Sequence, residues 1–267
     1  MNKKYYFFSF LALTTFVVTP VKSNAQENPA TTGDMTVDLK VTDPKYGILD
    51  PENKGEELIP EEGYGQTSGP LRIDFAPKIN FNSNKIVDQD ISYAADALLF
   101  KGQIAPRGSF VQVSDYRPNP TGWKLQVRQE TQFKNQNKEN SMLNGAVISL
   151  DKSWLSAAYG MGPAPTISKE VIHLNNIGET YTLAEAKKGT GAGTWSIVFG
   201  ASKDNNLDQQ GTLTPRVDDQ GKPVTRPDFE NQSVYMNDAI NLAIPKGTTK
   251  DPGSYSTVIT WLITELP

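Results

Sequence analysis

The segment WKLQVRQE (residues 123–130) alternates apolar and polar residues from Trp123 to Arg128, and this period of two restricts the fold more than any other feature of the chain. In an extended strand, residues i and i+2 face the same side. Trp123, Leu125 and Val127 therefore share one face, while Lys124, Gln126 and Arg128 share the other. FVQVSD (residues 110–115) has the same character, and Asn119-Pro120-Thr121-Gly122 between the two supplies turn formers, so the pair is expected to be a hairpin. Further strands are expected over residues 35–41, 71–75, 146–150, 171–174, 195–199, 239–244 and 255–264, separated by clusters of Pro, Gly, Asn and Asp. One stretch reads as helical, residues 182–188, where Thr182 and Glu185 have capping-box spacing and Gly189 supplies a stop. The expected fold is all-β: a sandwich or barrel-like body of short antiparallel strands with at most one or two short helices.

Residues 1–25 read as a secretory signal peptide. Lys3 and Lys4 open it, YYFFSFLALTTFVV (residues 5–18) is too short to span a bilayer, and Ser23-Asn24-Ala25 supplies small residues at the cleavage site. An N-terminal membrane anchor is the alternative. Cleavage after Ala25 leaves residues 26–267 as a single exported domain and removes Lys3, Lys4 and Lys22, taking the formal net charge from −4 to −7. So acidic a chain argues against nucleic acid and anionic membrane as partners. It contains no cysteine, which excludes disulfides and thiol ligands; its length makes them unnecessary for a core. Residues 43–70 are rich in acids, prolines and glycines and have little periodicity. They are expected to be a long surface loop, or alternatively a flexible arm.

A search for catalytic chemistry finds little. His173, the sole histidine, lies among apolar neighbours, and no G-x-S-x-G, H-E-x-x-H or phosphate-binding loop is present. Residues 189–193 (GTGAG) are expected to connect a hairpin. Asp204-Asn205-Asn206-Leu207-Asp208 is the best calcium candidate, but Gly211 falls too late for an EF-hand loop, and such runs form turns without an ion. No metal, cofactor or enzymatic activity is expected.

The last thirteen residues, YSTVITWLITELP (residues 255–267), resemble the distal motif of the WxL family of Gram-positive cell-surface proteins, with Ile259 and Ile263 in place of two leucines. Gly122-Trp123-Lys124-Leu125 resembles the family's other Trp-x-Leu motif, preceded by VSDYR (residues 113–117). Leu49-Asp50-Pro51-Glu52-Asn53 resembles an early family segment, and Leu71–Asp74 with Ile79–Phe81 the strands that follow it. The resemblance implies an exported protein that binds peptidoglycan or an associated wall glycan. It also implies other WxL proteins and a membrane-anchored companion as partners. On this reading Trp123, Lys124, Leu125, Tyr255, Trp261, Leu262 and Ile263 form the wall-binding motifs. No LPxTG sorting signal stands before Pro267, so attachment is expected to be non-covalent, with release into the medium as the alternative. A protein–protein module binding the companion or a host matrix component is the second reading, and a wall hydrolase a remote third. Trp123 and Trp261 each lie with aliphatic residues, as core residues do. An exposed pair forming one glycan-binding edge stays open beside that.

Overall fold

Residues along Trp123–Gln129 are alternately buried and half-exposed, as the period of two requires. The computed structural model describes residues 47–135, 137–138 and 142–267. The leader expected over 1–25 and the strand expected over 35–41 lie outside the described residues. In chain order the strands are β1 (Ile48–Leu49), β2 (Glu57–Leu58), β3 (Leu71–Phe75), β4 (Ile91–Asp96), β5 (Ser109–Asp115) and β6 (Trp123–Gln129). Then come β7 (Lys134–Asn135), β8 (Val147–Leu150), β9 (Ser153–Gly160), β10 (Thr166–Ile167), β11 (Ile172–His173), β12 (Thr180–Ala186) and β13 (Gly193–Phe199). The last six are β14 (Leu213–Pro215), β15 (Thr225–Arg226), β16 (Gln232–Ser233), β17 (Tyr235–Ile244), β18 (Tyr255–Ser256) and β19 (Ile259–Glu265). A single 3-10 turn, Pro227–Phe229, is the one helical element among the described residues.

The larger sheets are antiparallel and open, so the fold is a sandwich and not a closed barrel. An inner sheet has the order β3-β5-β13-β9, a motif sheet the order β10-β12-β6-β19, and a third the order β11-β8-β17-β14 with β4 also on β17. One core joins all three, packing Val111, Val113 and Ile197 of the inner sheet with Trp123, Leu125 and Val127 of β6 and with Ile148, Ile240 and Leu242. The inner sheet is buried on its second face too. There Phe75, Phe110, Trp154 and Val198 pack with Ile48, Leu58 and Phe100. Two-sided burial explains why every residue of β5 and β13 is buried.

Three expectations are corrected. Residues 110–115 and 123–130 do not form a hairpin. β5 already has β3 and β13 as neighbours, so β6 crosses to the facing sheet, where it pairs with β12 and β19. Residues 182–188 are not helical: 182–186 belong to β12. A bulge between Thr182 and Ala184 places Leu183 out of step, and the interrupted alternation imitates helical spacing. Residues 189–193 are likewise a crossover between sheets, because β12 and β13 are not paired with each other.

The acidic segment also departs from expectation. Its described part begins with a packed hairpin, β1 against β2, that covers the second face of the inner sheet. Asp50 is 1% exposed, and its carboxylate accepts from Arg107 Nε at 2.9 Å and Nη2 at 2.7 Å. Glu52 accepts from Ser202 N at 2.8 Å, and Ser156 Oγ donates to Pro51 O at 2.8 Å. Buried carboxylates are tolerated here because each is paired. Much of 53–69 is exposed, as a surface loop would be. Breaking a buried pair leaves one charge uncompensated. Asp50→Ala is therefore expected to lower stability by about 3–5 kcal/mol, measured by urea unfolding. A midpoint unchanged from the parent would show that the hairpin is an appendage.

Candidate functional site

The two tryptophan motifs, far apart in sequence, lie side by side. β19 pairs with β6 in one unbroken register, with Trp261 opposite Val127, Ile263 opposite Leu125 and Glu265 opposite Trp123. Directly opposed residues share a face. Ile259, Trp261 and Ile263 therefore face inward with Trp123, Leu125 and Val127, while Lys124 and Leu262 face outward.

Burial separates the motif residues further. Trp123 and Leu125 are fully buried. The Trp123 indole donates to Gly191 O at 3.2 Å, and Gly191, with φ +73°, has no room for a Cβ, which would lie 2.4 Å from Ala186 Cβ. The glycine crossover thus exists to let the chain pass close over Trp123. Lys124 pairs with Glu185 at 3.3 Å on the half-exposed outer face. Trp261, Ile263, Leu262 and Tyr255 are half-buried.

Residues 115–122 clamp the two motifs together. Arg117 binds Asp115 through Nε at 2.9 Å and Nη2 at 2.8 Å, donates from Nη2 to Gly122 O at 3.0 Å and reaches Glu265 at 2.6 Å. Hydrogen bonding to Asp115 raises the Arg117 pKa above its ordinary value, so the guanidinium stays charged. Leu266 N then donates to Gly122 O at 3.1 Å. VSDYR signalled this clamp in the sequence only as motif context; its pairing with Glu265 had no local signature.

Beside β19 lies a cleft of about 1130 Å³. Tyr255, Val258, Ile259 and Trp261 line it together with Ile79, Phe81, Ile86 and Tyr93, and with Phe133, Ile148 and Leu242. Phe81 and Phe133 meet edge to face, 6.3 Å between centroids. The Tyr93 hydroxyl donates to Lys85 O at 2.7 Å, and burial raises its pKa. Tyr255 closes its own loop, its hydroxyl donating to Asp251 O and accepting from Asp251 N, each at 3.0 Å. Ile86 and Val258 stand exposed at the rim, 52% and 55%. The sequence offered Trp261 and Tyr255 through their motif, but Phe81, Tyr93 and Phe133 carry no signal of a shared cleft. A smaller cavity of about 330 Å³, lined by Tyr64, Phe75, Phe100, Phe229 and Arg226, adjoins the cleft, the two sharing residues 77–80.

The other candidates are not drawn in. His173 is exposed on the two-residue β11. Asn205 builds the turn at 204–208 itself, accepting from Leu207 N and Gln209 N at 3.1 Å each. Among the described residues no group of three His, Cys, Asp or Glu is placed to hold a metal ion. No helix among them is long and apolar enough to cross a membrane.

An open β-sandwich with an aromatic cleft beside a sheet edge defines a β-rich binding domain. The family model described as "WxL domain surface cell wall-binding" matches residues 19–267, and the chain belongs to that family. No curated protein and no solved structure matches the chain.

The packing yields an expected outcome. Gly191→Ala forces a Cβ onto Ala186 and Trp123 at a left-handed backbone position, and should lower the melting temperature by roughly 5–10 °C, equivalent to about 1–3 kcal/mol. A melting temperature equal to the parent's would contradict the tight crossover over Trp123.

Proposed function

We propose that the protein is exported and attaches non-covalently to Gram-positive peptidoglycan, with the wall ligand seated in the cleft beside β19. One observation carries this reading: Trp261 and Tyr255, the aromatic residues of the distal motif, line a large open cleft, while Trp123, opposite Glu265 at the other end of the β6–β19 pairing, is wholly buried. Trp261 and Tyr255 touch ligand. Trp123 and Leu125 act from inside, holding β6 so that β19 keeps its place. Half-buried aromatics with one open side give broad contact area at little conformational cost, which suits them to this task.

Protein-free cell wall is the direct test. Trp261→Ala should weaken retention about tenfold or more, the scale of losing a central aromatic anchor, in a protein that still melts cooperatively. Trp123→Phe should lower melting temperature and retention together. Thr182→Ala, on the outer face, serves as a control that keeps both. If folded Trp261→Ala and Tyr255→Ala proteins bind wall as the parent does, the cleft is not the attachment site.

A further inference from the structure

The cleft lies beside Ile259 and Trp261, in the first half of β19, and the open edge of that strand differs from the other sheet edges among the described residues. β10 and β11 are two residues long, and β14 carries Pro215. β3 is bulged near Asp74 and flanked by chain, with Gly65 N donating to Ala76 O and Thr67 N to Ile73 O, each at 2.9 Å. β9 is bulged where it pairs with β13, and Lys169 Nζ donates to Ser153 O beside it. β4 is flanked by the segment from which Asn80 O accepts from Asp96 N at 2.7 Å. These are the devices by which folded proteins block pairing at a sheet edge. β19 has none of them: seven residues, no proline, no bulge against β6, and one charge, at its last residue. Among the described residues no strand pairs with its other edge.

The register tells which groups face that edge. Glu130 N donates to Val258 O at 2.9 Å, and Leu266 N to Gly122 O at 3.1 Å, so both flanking pairs are of the hydrogen-bonded type. Antiparallel pairs alternate in type. Thr260, Leu262 and Thr264 therefore bond to β6, and Ile259, Trp261, Ile263 and Glu265 turn their main-chain N–H and C=O groups outward. The residues whose side chains face the core and cleft are the ones whose backbones are open to a ligand. Their spacing of about 6.8 Å matches alternate residues of another extended peptide. A strand added here would drop every second side chain toward the aromatic lining. The lining also carries Lys78, Lys85 and Lys250 against Asp251, and although Lys85 pairs with Asp219 at 2.7 Å on the exposed surface, the balance stays basic in a chain of formal net charge −4.

From this geometry we infer that the wall component held in the cleft is peptide: an extended, anionic peptide of peptidoglycan adds as a strand to β19, and the sugar chain lies outside. The inference rests on the wall-binding reading above and names the ligand chemistry of that site. The acetamido groups of the wall sugars hang as side branches and are not strung in line as peptide amides are, so they do not form a strand ladder with the open backbone of Ile259, Trp261 and Ile263. Wall peptides have amide groups along their length and free carboxylates for the lysines.

The test compares retention of the mature protein on intact protein-free wall and on the same wall stripped of peptides by an amidase, with released peptides and released sugar fragments as soluble competitors. Stripping should reduce retention about tenfold or more, and only the peptides should compete. Two variants locate the contact. Ile263→Pro removes an outward N–H and leaves the ladder with β6 intact, so it should lose peptide binding while still melting cooperatively. Lys85→Glu, a change at an exposed position that gives up only the solvent-exposed pair with Asp219, should weaken peptide binding by about fivefold at low salt and less at high salt. Retention on peptide-free wall, with sugars competing, overturns the peptide assignment and leaves wall attachment standing. No retention on intact wall overturns both. Peptide binding unchanged in both variants, or a dimer that Ile263→Pro dissolves, also overturns it, the dimer placing a second copy on the edge.

Discussion

The pairing of β6 with β19 is the constraint on which the rest of the structure depends. It joins residues from the middle of the chain to its last strand in one continuous register. It sets Trp123 in the core and Trp261 at the cleft wall, although both open a Trp-x-aliphatic pattern. The difference is purely positional. β6 lies between two strands, with β12 beyond it, whereas β19 ends its sheet. An interior strand loses solvent on both sides, and an edge strand keeps one side open. The same Trp-x-aliphatic pattern thus makes a structural anchor in one strand and a ligand-facing side chain in the other. The Arg117 clamp reinforces the pairing by tying Asp115, the Gly122 carbonyl and Glu265 at one end of it.

The inner sheet imposes a second requirement. With one face against the motif and third sheets, its other face needs a cover, and the early acidic segment supplies it. Covering an apolar sheet with a segment rich in carboxylates works only if those carboxylates arrive with partners. Arg107, presented next to β5, meets Asp50, while Ser202 after β13 meets Glu52. The buried pairs fix the position of the hairpin more than they stabilise it, since desolvation offsets much of their attraction.

How much of this could be read in the sequence follows from the same physics. β6 and β3 were legible because each is a strand whose sequence shows its burial directly. β5 was legible as a strand, but its partner was not: a turn-forming link of seven residues looks the same whether the chain folds back or crosses to another sheet. β12 was misread because its bulge breaks the alternation at Leu183. β9 (SWLSAAYG) and β4 (ISYAAD) were missed because small Ser and Ala residues blur the two faces. At the site, the distal motif pointed to Trp261 and Tyr255. The rest of the lining did not announce itself, since Phe81, Tyr93 and Phe133 come from three separate segments that only tertiary packing brings together. The open edge could not be read from sequence either, because openness depends on what lies beside a strand.

The most direct test of this account is residue-resolved amide exchange along β19 in the mature protein. In the free protein the amides of Thr260, Leu262 and Thr264 should be protected by β6, while those of Ile259, Trp261 and Ile263 should exchange much faster. Adding peptides released from cell wall should slow the second set and leave the first unchanged. Uniform protection along the strand before any ligand is added, or no slowing of Ile259, Trp261 and Ile263 when peptide is bound, would contradict it.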